Sequence, residues 1–430
     1  MTIASADRRE NTAEWQYRQE RMGQTMTEDL PLAGLKVIDC GSFIAAPVAA
    51  TVLADFGADV VKIEPPSGEP YRRDDPTVGI PPSNHPYNYI VDNRSKRAIT
   101  LDLKAEAGQK VLHRMLADAD VFVTNAPFPA RERLKVRYQD MKDLYPRLIY
   151  ASVTAYGETG PEADRTGFDS TALWARSGLM DLCKPAPDSA PTRSLPGMGD
   201  HPTAISMVAA IMTALYRRER TGKGGEVATN LMANGLWWNA IWNQAALCGA
   251  DVQGRPPREA ADNPMHNLYA CADGRWFHMV MITKPDRFKA VAHAIGLDHL
   301  ADDPRFQDMA SRKAHAPALI DAFDAVFRTK IWPEWKAIFI ENKFTFGEIG
   351  TVNDIADDVQ MRESGAIIPH PEPDKAGAAL TVSSPFWLTD VEKRPPAMSP
   401  ALGEHNDDVL AELGFSEADT QALRDGGAFG

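Results

Sequence analysis

The feature that most constrains the fold of this chain is a strand–helix–strand pattern near its start. The run from Leu35 to Cys40 is typical of a buried strand, and the run from Ala58 to Glu64 is typical of a second one. Between them, Pro47 suits the first turn of a helix and Gly57 suits its end. When a helix joins two neighbouring strands of a sheet, the strands run parallel and the connection is right-handed. The pattern therefore predicts an α/β fold with a parallel sheet.

Later segments extend this prediction. Further strands are predicted within 93–104, 120–125 and 148–153, and apolar residues at helical spacing predict a long helix over 203–220. The stretch 267–282 contains Asp273-Gly274, a dipeptide that favours a tight hairpin turn. The composition around 251–263 changes to proline, arginine and aspartate, which places a domain boundary there.

Charge and cysteine usage exclude several classes of protein. The net charge of −13 argues against a general nucleic-acid binder and against a protein that lies on a membrane surface. The 4 cysteines have no C-x-x-C spacing, which is typical of reduced thiols in a cytoplasmic protein. No apolar run approaches the ~20 residues of a membrane span. We therefore expect a cytoplasmic protein with no nucleic-acid partner and no membrane partner.

The known cofactor motifs do not occur. The turn after the first predicted strand, GSFIAAP at 41–47, lacks the G-x-G-x-x-G glycines that admit a pyrophosphate, so NAD or FAD is not expected. The histidines and cysteines form no H-E-x-x-H motif and no cluster, so a metal is not expected either. The G-x-S-x-G elbow of serine hydrolases and the P-loop motif are both missing.

One acid stands out at the carboxyl end of a predicted strand. After the strand 148–153 comes a loop marked by glycine and proline, and Asp169 then sits between Phe168 and a helix-like segment. A carboxylate in this place can attack an activated acyl group and form a mixed anhydride, provided that it is desolvated and close to amide donors. Spacing alone also fits a simpler role, in which Asp169 caps the helix that follows it.

Several separate stretches, in order, resemble the class III CoA-transferase family, which includes formyl-CoA transferase and carnitine CoA-transferase. They are PLAGLKVID at 31–39, LADFGADVVKIEPPSGE at 53–69, KRAITLDLK at 96–104, ADVFVTN at 119–125, YPRLIYASVTAYGETGP at 145–161, GFD at 167–169, RRERTGKGGEV at 217–227 and ALGEHNDDVLAELG at 401–414. The resemblance covers most of the chain.

The resemblance implies a function and a site. It implies a CoA-transferase that moves CoA from an acyl-CoA to a small carboxylic acid, with Asp169 as the nucleophile and with aspartyl anhydride and aspartyl-CoA thioester intermediates. CoA, as part of the acyl-CoA substrate, would contact six positions, which are Ile44, Ala45, Leu101, Lys104, Asn125 and Arg133. Lys104 and Arg133 suit the CoA phosphates because an acidic protein must concentrate positive charge locally.

The resemblance also implies an assembly and a domain plan. It implies an interlocked homodimer and a Rossmann-like, parallel-sheet large domain built from N- and C-terminal segments, with a small α+β domain beside it. The predicted parts are an N-terminal arm at 1–30, the first part of the large CoA-binding domain at 31–225, a linker helix region at 226–262, the small α+β domain at 263–345, and a return segment at 346–430 that completes the large domain.

Because the chain departs from the family pattern at several positions, the identity of the acid substrate and two alternative functions stay open. Pro65 stands where formyl-CoA transferase has a CoA-contacting arginine, and no run of glycines matches that enzyme's lid. The 2-methylacyl-CoA racemases of the same fold have histidine before the aspartate, whereas Phe168 cannot exchange a proton. Racemase or isomerase activity, or a catalytically silent CoA-binding protein, remain alternatives. Candidates for an acceptor pocket, each equally compatible with ordinary packing, are Trp174, Arg176, Met198, His266 and Tyr269.

Overall fold

The structure is a computed structural model that describes residues 30–72, 79–281 and 286–430. The predicted N-terminal arm at 1–30 lies, except for its last residue, outside the described residues. The described chain forms two compact units. Unit 1 consists of the residues up to 179 together with 193–243 and 359–430, and unit 2 consists of 180–192 and 244–358.

The strands, in chain order, are β1 (Lys36–Asp39), β2 (Asp59–Glu64), β3 (Arg97–Thr100), β4 (Val121–Thr124), β5 (Ile149–Thr154), β6 (Gly225–Asn230), β7 (His266–Ala270), β8 (Trp276–Val280), β9 (Phe346–Glu348), β10 (Ile367–Pro369) and β11 (Leu380–Val382).

The α-helices, in chain order, are α1 (Ala45–Asp55), α2 (Tyr87–Asn93), α3 (Glu106–Leu116), α4 (Phe128–Arg133), α5 (Tyr138–Met141), α6 (Leu179–Leu182), α7 (Asp200–Thr221), α8 (Leu231–Trp238), α9 (Ala240–Leu247), α10 (Phe288–Ala294), α11 (Asp298–Ala301), α12 (Met309–Ala314), α13 (Ala316–Phe327), α14 (Trp332–Glu341), α15 (Val359–Glu363), α16 (Pro373–Ala376), α17 (Asn406–Glu412) and α18 (Glu417–Asp425). A π-helical segment spans Asp169–Ala175.

Unit 1 is built on a six-stranded parallel sheet, which confirms the predicted α/β fold. The strand order is β3-β2-β1-β4-β5-β6, and every neighbouring pair is parallel. The chain therefore winds outward in one direction from β1 to β3 and in the other from β4 to β6. The point where this direction reverses, between β1 and β4, is where open sheets of this kind bind their ligands.

The two faces of the sheet bury separate apolar clusters because alternate strand residues point to opposite sides. Val37 and Val121 pack on one face with residues of α1 and α7. Ile38 and Phe122 pack on the other face with residues of α3, α17 and α18. Burying a side chain of this size contributes about 1.5–3 kcal/mol. The C-terminal helices α17 and α18 thus complete a core that begins at β1.

Unit 2 has its own core. The strands β7, β8 and β9 form an antiparallel sheet, and Gly274, in the turn between the first two, has a φ of +78°. The sequence-predicted hairpin is therefore confirmed. The sheet packs on α13 and α14 through rings such as Phe277, Phe327 and Trp335, all of them buried. In the parts of the chain that the structure describes, every helix is too short or too polar to cross a membrane.

Candidate active site

Two loops meet at the reversal point of the sheet. The loop after β1 begins at Gly41 and the loop after β4 begins at Asn125. The backbone N–H of Ser42 donates to Oδ1 of Asn125 at 2.9 Å, and Nδ2 of Asn125 donates to the carbonyl of Ser42 at 2.7 Å. This reciprocal pair fixes the two loops against each other, although their residues are 83 positions apart in the sequence.

Two cavities open beside these loops. We call the first the Phe168 cavity; it has a volume of about 380 Å³, and its lining includes Phe43, Ile44, Ala45, Phe128, Phe168 and Asp200. We call the second the Lys104 cavity; it has a volume of about 560 Å³, and its lining includes Cys40, Pro65, Leu101, Lys104 and Arg133. Ser42, Asn125 and Ala126 line both, so the cavities adjoin at the paired loops.

The positions that the family resemblance assigns to CoA contacts all lie along this pair of cavities. Ile44 and Ala45, at the start of α1, line the Phe168 cavity. Leu101, Lys104 and Arg133 line the Lys104 cavity, and Asn125 lines both. The fold therefore brings together residues from four separate segments. That these residues bind CoA stays a prediction.

The Lys104 cavity carries the cations. Lys104 follows β3 and Arg133 ends α4, and both side chains are exposed. Among the described residues, no carboxylate forms an ion pair with either of them. Two exposed cations that pair with no carboxylate in the described part of the chain can bind the phosphates of a ligand.

Glu64 at the end of β2 occupies the place of a ribose-binding acid, but its carboxylate is already used. Arg72 donates two hydrogen bonds to it, at 2.7 and 2.6 Å, and the Tyr89 hydroxyl donates a third at 3.1 Å. Glu64 is only 1% exposed. Glu64 thus anchors the loop after β2, and although it lines the Lys104 cavity, its carboxylate is already bound by protein donors.

Asp169 is the first residue of the π-helical segment, and Phe168 precedes that segment. Asp169 is only 4% exposed. Oδ1 accepts a hydrogen bond from the Ser170 N–H at 2.7 Å, and Oδ2 accepts one from the Gly199 N–H at 3.0 Å. One of the two donors thus lies outside the segment, 30 residues away, so the carboxylate does more than cap the helix that follows. A buried carboxylate fixed by two amides is desolvated and oriented, as covalent catalysis requires.

Gly199 is required for this arrangement because of space. A Cβ atom placed on Gly199 would lie 2.8 Å from Cβ of Asp169 and 2.9 Å from Cδ1 of Leu173. Any larger residue would push the segment that carries Asp169 away from the Gly199 amide. The sequence signal was present in the run GMGD at 197–200, but its role depends on a contact that no local pattern reveals.

Asp200 is a second acid beside Asp169 that the sequence did not single out. It begins the 22-residue helix α7 and lines the Phe168 cavity. Burial, together with the negative charge of Asp169, raises the pKa of Asp200 to about 7. Asp200 is therefore a carboxyl group that changes charge near neutral pH, directly at the cavity wall.

His201 and Asp92 form a pair next to this acid. Nε2 of His201 lies 3.0 Å from Oδ1 of Asp92, and Asp92 is 1% exposed. Burial alone would lower the pKa of His201, but the hydrogen bond and the charge of Asp92 outweigh it and raise the pKa to about 8. The pair places a cation close to Asp200 at neutral pH.

Phe43, between the two loops and α1, has an unusual backbone. Its φ is +58°, a left-handed conformation that costs a bulky residue about 1–2 kcal/mol. The Phe43 N–H donates to Oε2 of Glu69 at 2.7 Å, and Lys62 lies 2.8 Å from Oε1 of the same carboxylate. Because Lys62 and Glu69 are both buried, the conformation of Phe43 is held by a fixed internal ion pair.

The ion pair belongs to a larger buried charge network beneath the loop. Lys96 lies 2.8 Å from Oδ2 of Asp39, which is 0% exposed. Burial would raise the pKa of Asp39, but the ammonium groups of Lys62 and Lys96 hold that pKa below its usual value. Burial lowers the pKa of Lys96 to about 8.

The candidates for an acceptor pocket fall in different places. Arg176 pairs with Glu162 at 3.1 Å and does not line the Phe168 cavity. Tyr269 is 0% exposed and donates its hydroxyl hydrogen bond to the Pro264 carbonyl, as an ordinary core residue of unit 2 does. The structure therefore gives neither of them a place at the Phe168 cavity.

Comparisons with known proteins agree on one family. The model of CoA-transferase family III matches residues 32–406. The chain is 30% identical over 396 residues to "(R)-2-hydroxy-4-methylpentanoate CoA-transferase" of Clostridioides difficile, with 92% of this chain and 98% of that protein covered. It is 32% identical over 394 residues to "Cinnamoyl-CoA:phenyllactate CoA-transferase" of Clostridium sporogenes, with 91% and 95% covered.

A solved structure matches as well. The crystal structure of a CAIB/BAIF family protein from Brucella suis superposes with a TM-score of 0.79 at 28% sequence identity, covering 89% of this chain and 99% of that one. The family match spans the sheet and all the site residues described above.

Proposed function

Because the chain belongs to CoA-transferase family III and is a CoA-transferase, we propose that Asp169 is the nucleophile that carries first the acyl group and then CoA. The observation that carries this proposal is the buried Asp169 carboxylate, held by two backbone amides. Phe168, which precedes Asp169, and Asp200, which follows its amide donor Gly199, both line the Phe168 cavity. That cavity shares Asn125 with the Lys104 cavity, whose lining includes Lys104 and Arg133.

The first half of the reaction transfers CoA to the enzyme. An Asp169 oxygen forms a bond to the thioester carbon while the carbon–sulfur bond breaks, which gives an aspartyl anhydride and CoA thiolate. The thiolate then attacks the side-chain carbonyl carbon of Asp169. This step gives an aspartyl-CoA thioester and releases the donor acid as its carboxylate.

The second half reverses these steps with a different acid. The acceptor carboxylate attacks the aspartyl-CoA thioester, which restores an anhydride and frees the thiolate. The thiolate attacks the acceptor's acyl carbon, forms the new acyl-CoA and regenerates the Asp169 carboxylate. The Gly199 and Ser170 amides, fixed before the substrate arrives, stabilise negative charge near Asp169 without reorganisation.

In this proposal, the CoA-contact residues orient the acyl-CoA substrate. Lys104 and Arg133 bind phosphate groups of CoA in the Lys104 cavity, and Asn125 orients the chain that passes between the two cavities. Ile44 and Ala45 form the wall beside the thioester. Holding the thioester carbon near a fixed carboxylate supplies the positional advantage of an intramolecular reaction.

Replacing Asp169 tests the proposal. In the Asp169→Ala variant, exchange of CoA between an acyl-CoA and a free acid falls by about 10⁴-fold or more. The Kd for CoA stays within about twofold, because the phosphate-binding residues are untouched. The control variant Asp143→Ala, at an exposed acid outside both cavities, keeps its turnover. Substantial transferase turnover in Asp169→Ala would refute the assignment.

We further propose that the enzyme is an interlocked homodimer. On α8 and the adjoining start of α9, several large apolar side chains face solvent, among them Trp237 at 79%, Ile241 at 82% and Trp242 at 53% exposure. Apolar patches of this kind mark interfaces. Light scattering on the full chain is expected to give the mass of a dimer, and Trp237→Glu is expected to lower it. A monomer of the unmodified chain would refute this proposal.

Two finer proposals complete the function. The large CoA-binding domain is formed by 31–225 and 346–430 and the small domain by 263–345, joined by the linker region at 226–262. The presence of two compact units supports a division into two domains, but unit 2 has wider bounds than the proposed small domain, because it also includes 180–192 and extends over 244–358. The enzyme acts in the cytoplasm, as the 4 unpaired cysteines suggest. Neither a metal nor NAD or FAD takes part in the proposed reaction.

A further inference from the structure

The Phe168 cavity has an aromatic wall that the described residues of unit 1 leave exposed to solvent. Phe168 is 59% exposed, although it is one residue from the buried Asp169. Its ring meets the ring of Phe43 edge to face, with 6.0 Å between the centroids. Phe128 lines the same cavity. An exposed ring at a cavity wall leaves apolar surface in water until a ligand removes it.

The ring of Phe43 is held in place by a strained, left-handed backbone. Phe43 keeps its left-handed backbone because Glu69 accepts its N–H and Lys62 fixes Glu69. Strained residues persist where the surroundings over-determine them, and they cluster at ligand clamps. The Phe43 ring is therefore presented to Phe168 by a buried charge network instead of by local preference.

The cavity offers little to a second negative charge. Among the described residues that line it, Arg165 is the only lysine or arginine, and Glu162 already pairs with it at 2.5 Å. The other charged residues in that lining, Asp164 and Asp200, are acids. A dicarboxylate acyl group would bring a second charge into a site without a free cation.

We propose that the Phe168 cavity selects acyl groups that are bulky and apolar, aromatic or branched, over short acyl groups and over acyl groups with a second carboxylate. The substrate ring or branched chain contacts the rings of Phe43 and Phe168, while the thioester carbon faces Asp169. This inference rests on the proposed transferase function and names the substrate class of that site.

A panel of CoA esters tests the proposal directly. With one common acceptor acid, kcat/KM is measured for 3-phenylpropanoyl-CoA, 4-methylpentanoyl-CoA, acetyl-CoA and succinyl-CoA. The ratio of the phenylpropanoyl value to the acetyl value is expected to be about 10- to 100-fold, and succinyl-CoA is expected to be the poorest substrate. A preference for acetyl-CoA or succinyl-CoA would overturn the proposal.

Two variants connect the preference to the ring. Phe168→Ala is expected to lose most of the phenylpropanoyl-to-acetyl ratio, and Phe168→Leu about half of it on a logarithmic scale. Trp387→Ala, which removes an exposed aromatic side chain outside the cavity, is expected to keep the ratio. An unchanged ratio in Phe168→Ala would overturn the assignment of the ring.

Calorimetric binding separates failure of this inference from failure of the transferase mechanism. The Kd of 3-phenylpropanoyl-CoA is expected to be about 10-fold below that of acetyl-CoA, and Phe168→Ala is expected to remove this difference. If the binding preference holds but no ester is turned over, the inference stands and the transferase mechanism falls. If exchange occurs through Asp169 but neither rate nor binding depends on the acyl group, the inference falls and the mechanism stands.

Discussion

The two cavities at the reversal point of the sheet differ in their chemistry. The Lys104 cavity is lined by Lys104 and Arg133, which form no ion pair with a carboxylate among the described residues, and by the acids Glu64, Glu69 and Asp102. The Phe168 cavity is lined by aromatic rings and by Asp200, which follows the Gly199 amide that binds Asp169. They share only the short stretches around Ser42 and Asn125. A net charge of −13 would repel a polyanionic ligand unless the protein concentrated positive charge locally.

This difference shows how one edge of a sheet can serve both phosphate recognition and acyl transfer. Phosphate recognition depends on charge and tolerates water, while acyl transfer needs a dry, preorganised site. Substitutions in one cavity should therefore change the binding of CoA, and substitutions in the other should change the chemical step or the choice of acyl group. The predictions below are ordered from the largest expected effect on this separation to the smallest.

The largest effect is expected at the contact that fixes Asp169. In Gly199→Ala, the added methyl group meets Asp169 and Leu173 and displaces the carboxylate from its amide donor. Steady-state assays should show kcat lowered by about 10²-fold, since a shift of about 1 Å in a reacting group has an effect of this size. The Kd for CoA should be unchanged.

Gly350→Ala is the matched control for that experiment, because the nearest atom to its added Cβ lies 4.0 Å away. Its kcat should equal that of the unmodified enzyme. A large increase in the Kd for CoA in Gly199→Ala would show that the two cavities do not act separately.

A smaller effect is expected from the cations. Lys104→Ala and Arg133→Ala should each raise KM for the acyl-CoA by about 10-fold, because each removes a charge-assisted contact to phosphate. Their kcat at saturation and KM for the acid should stay within about twofold. Replacing CoA by dephospho-CoA in the assay shows which phosphate each residue meets. Equal losses for CoA and for the acid would contradict the phosphate role.

The smallest effect concerns pH. Asp200, whose pKa is raised to about 7, is neutral below that pH and negatively charged above it. An acid acceptor is already an anion throughout this range, so KM for the acid should rise about threefold between pH 6 and pH 8 by like-charge repulsion. In Asp200→Asn the side chain stays neutral, and this rise should disappear.

Groups near Asp200 need a separate control. Asp169, Asp92 and His201 all act on its charge, and the pKa of His201 is itself raised to about 8. His201→Gln removes that second titration. If the pH dependence vanishes in His201→Gln but persists in Asp200→Asn, the effect belongs to the histidine.

Local patterns in the sequence were enough to predict most strands of the parallel sheet. The apolar runs at 35–40, 58–64, 120–125 and 148–153 correspond to β1, β2, β4 and β5, because buried parallel strands must be apolar on both faces. β6 at Gly225–Asn230 is harder to recognise, since its residues alternate between partly buried and exposed, as an edge strand's do.

The site itself depends on contacts that no local pattern encodes. Asn125 could be chosen only through the family resemblance, because its partner Ser42 is 83 residues away. Asp200 and Gly199 were missed because their importance arises from a contact with Asp169, 30 residues earlier. The left-handed backbone of Phe43 is imposed by buried Glu69, and intrinsic preference would have predicted the opposite.

The central claim is that Asp169 is covalently modified during turnover. The direct measurement is to mix the enzyme with an acyl-CoA, trap with hydroxylamine and locate the product by peptide mass spectrometry. The account predicts a hydroxamate on the Asp169 side chain that forms only when an acyl-CoA is present and that is missing in Asp169→Ala. A hydroxamate on Asp200 or another carboxylate, or turnover with an unmodified Asp169, would contradict it.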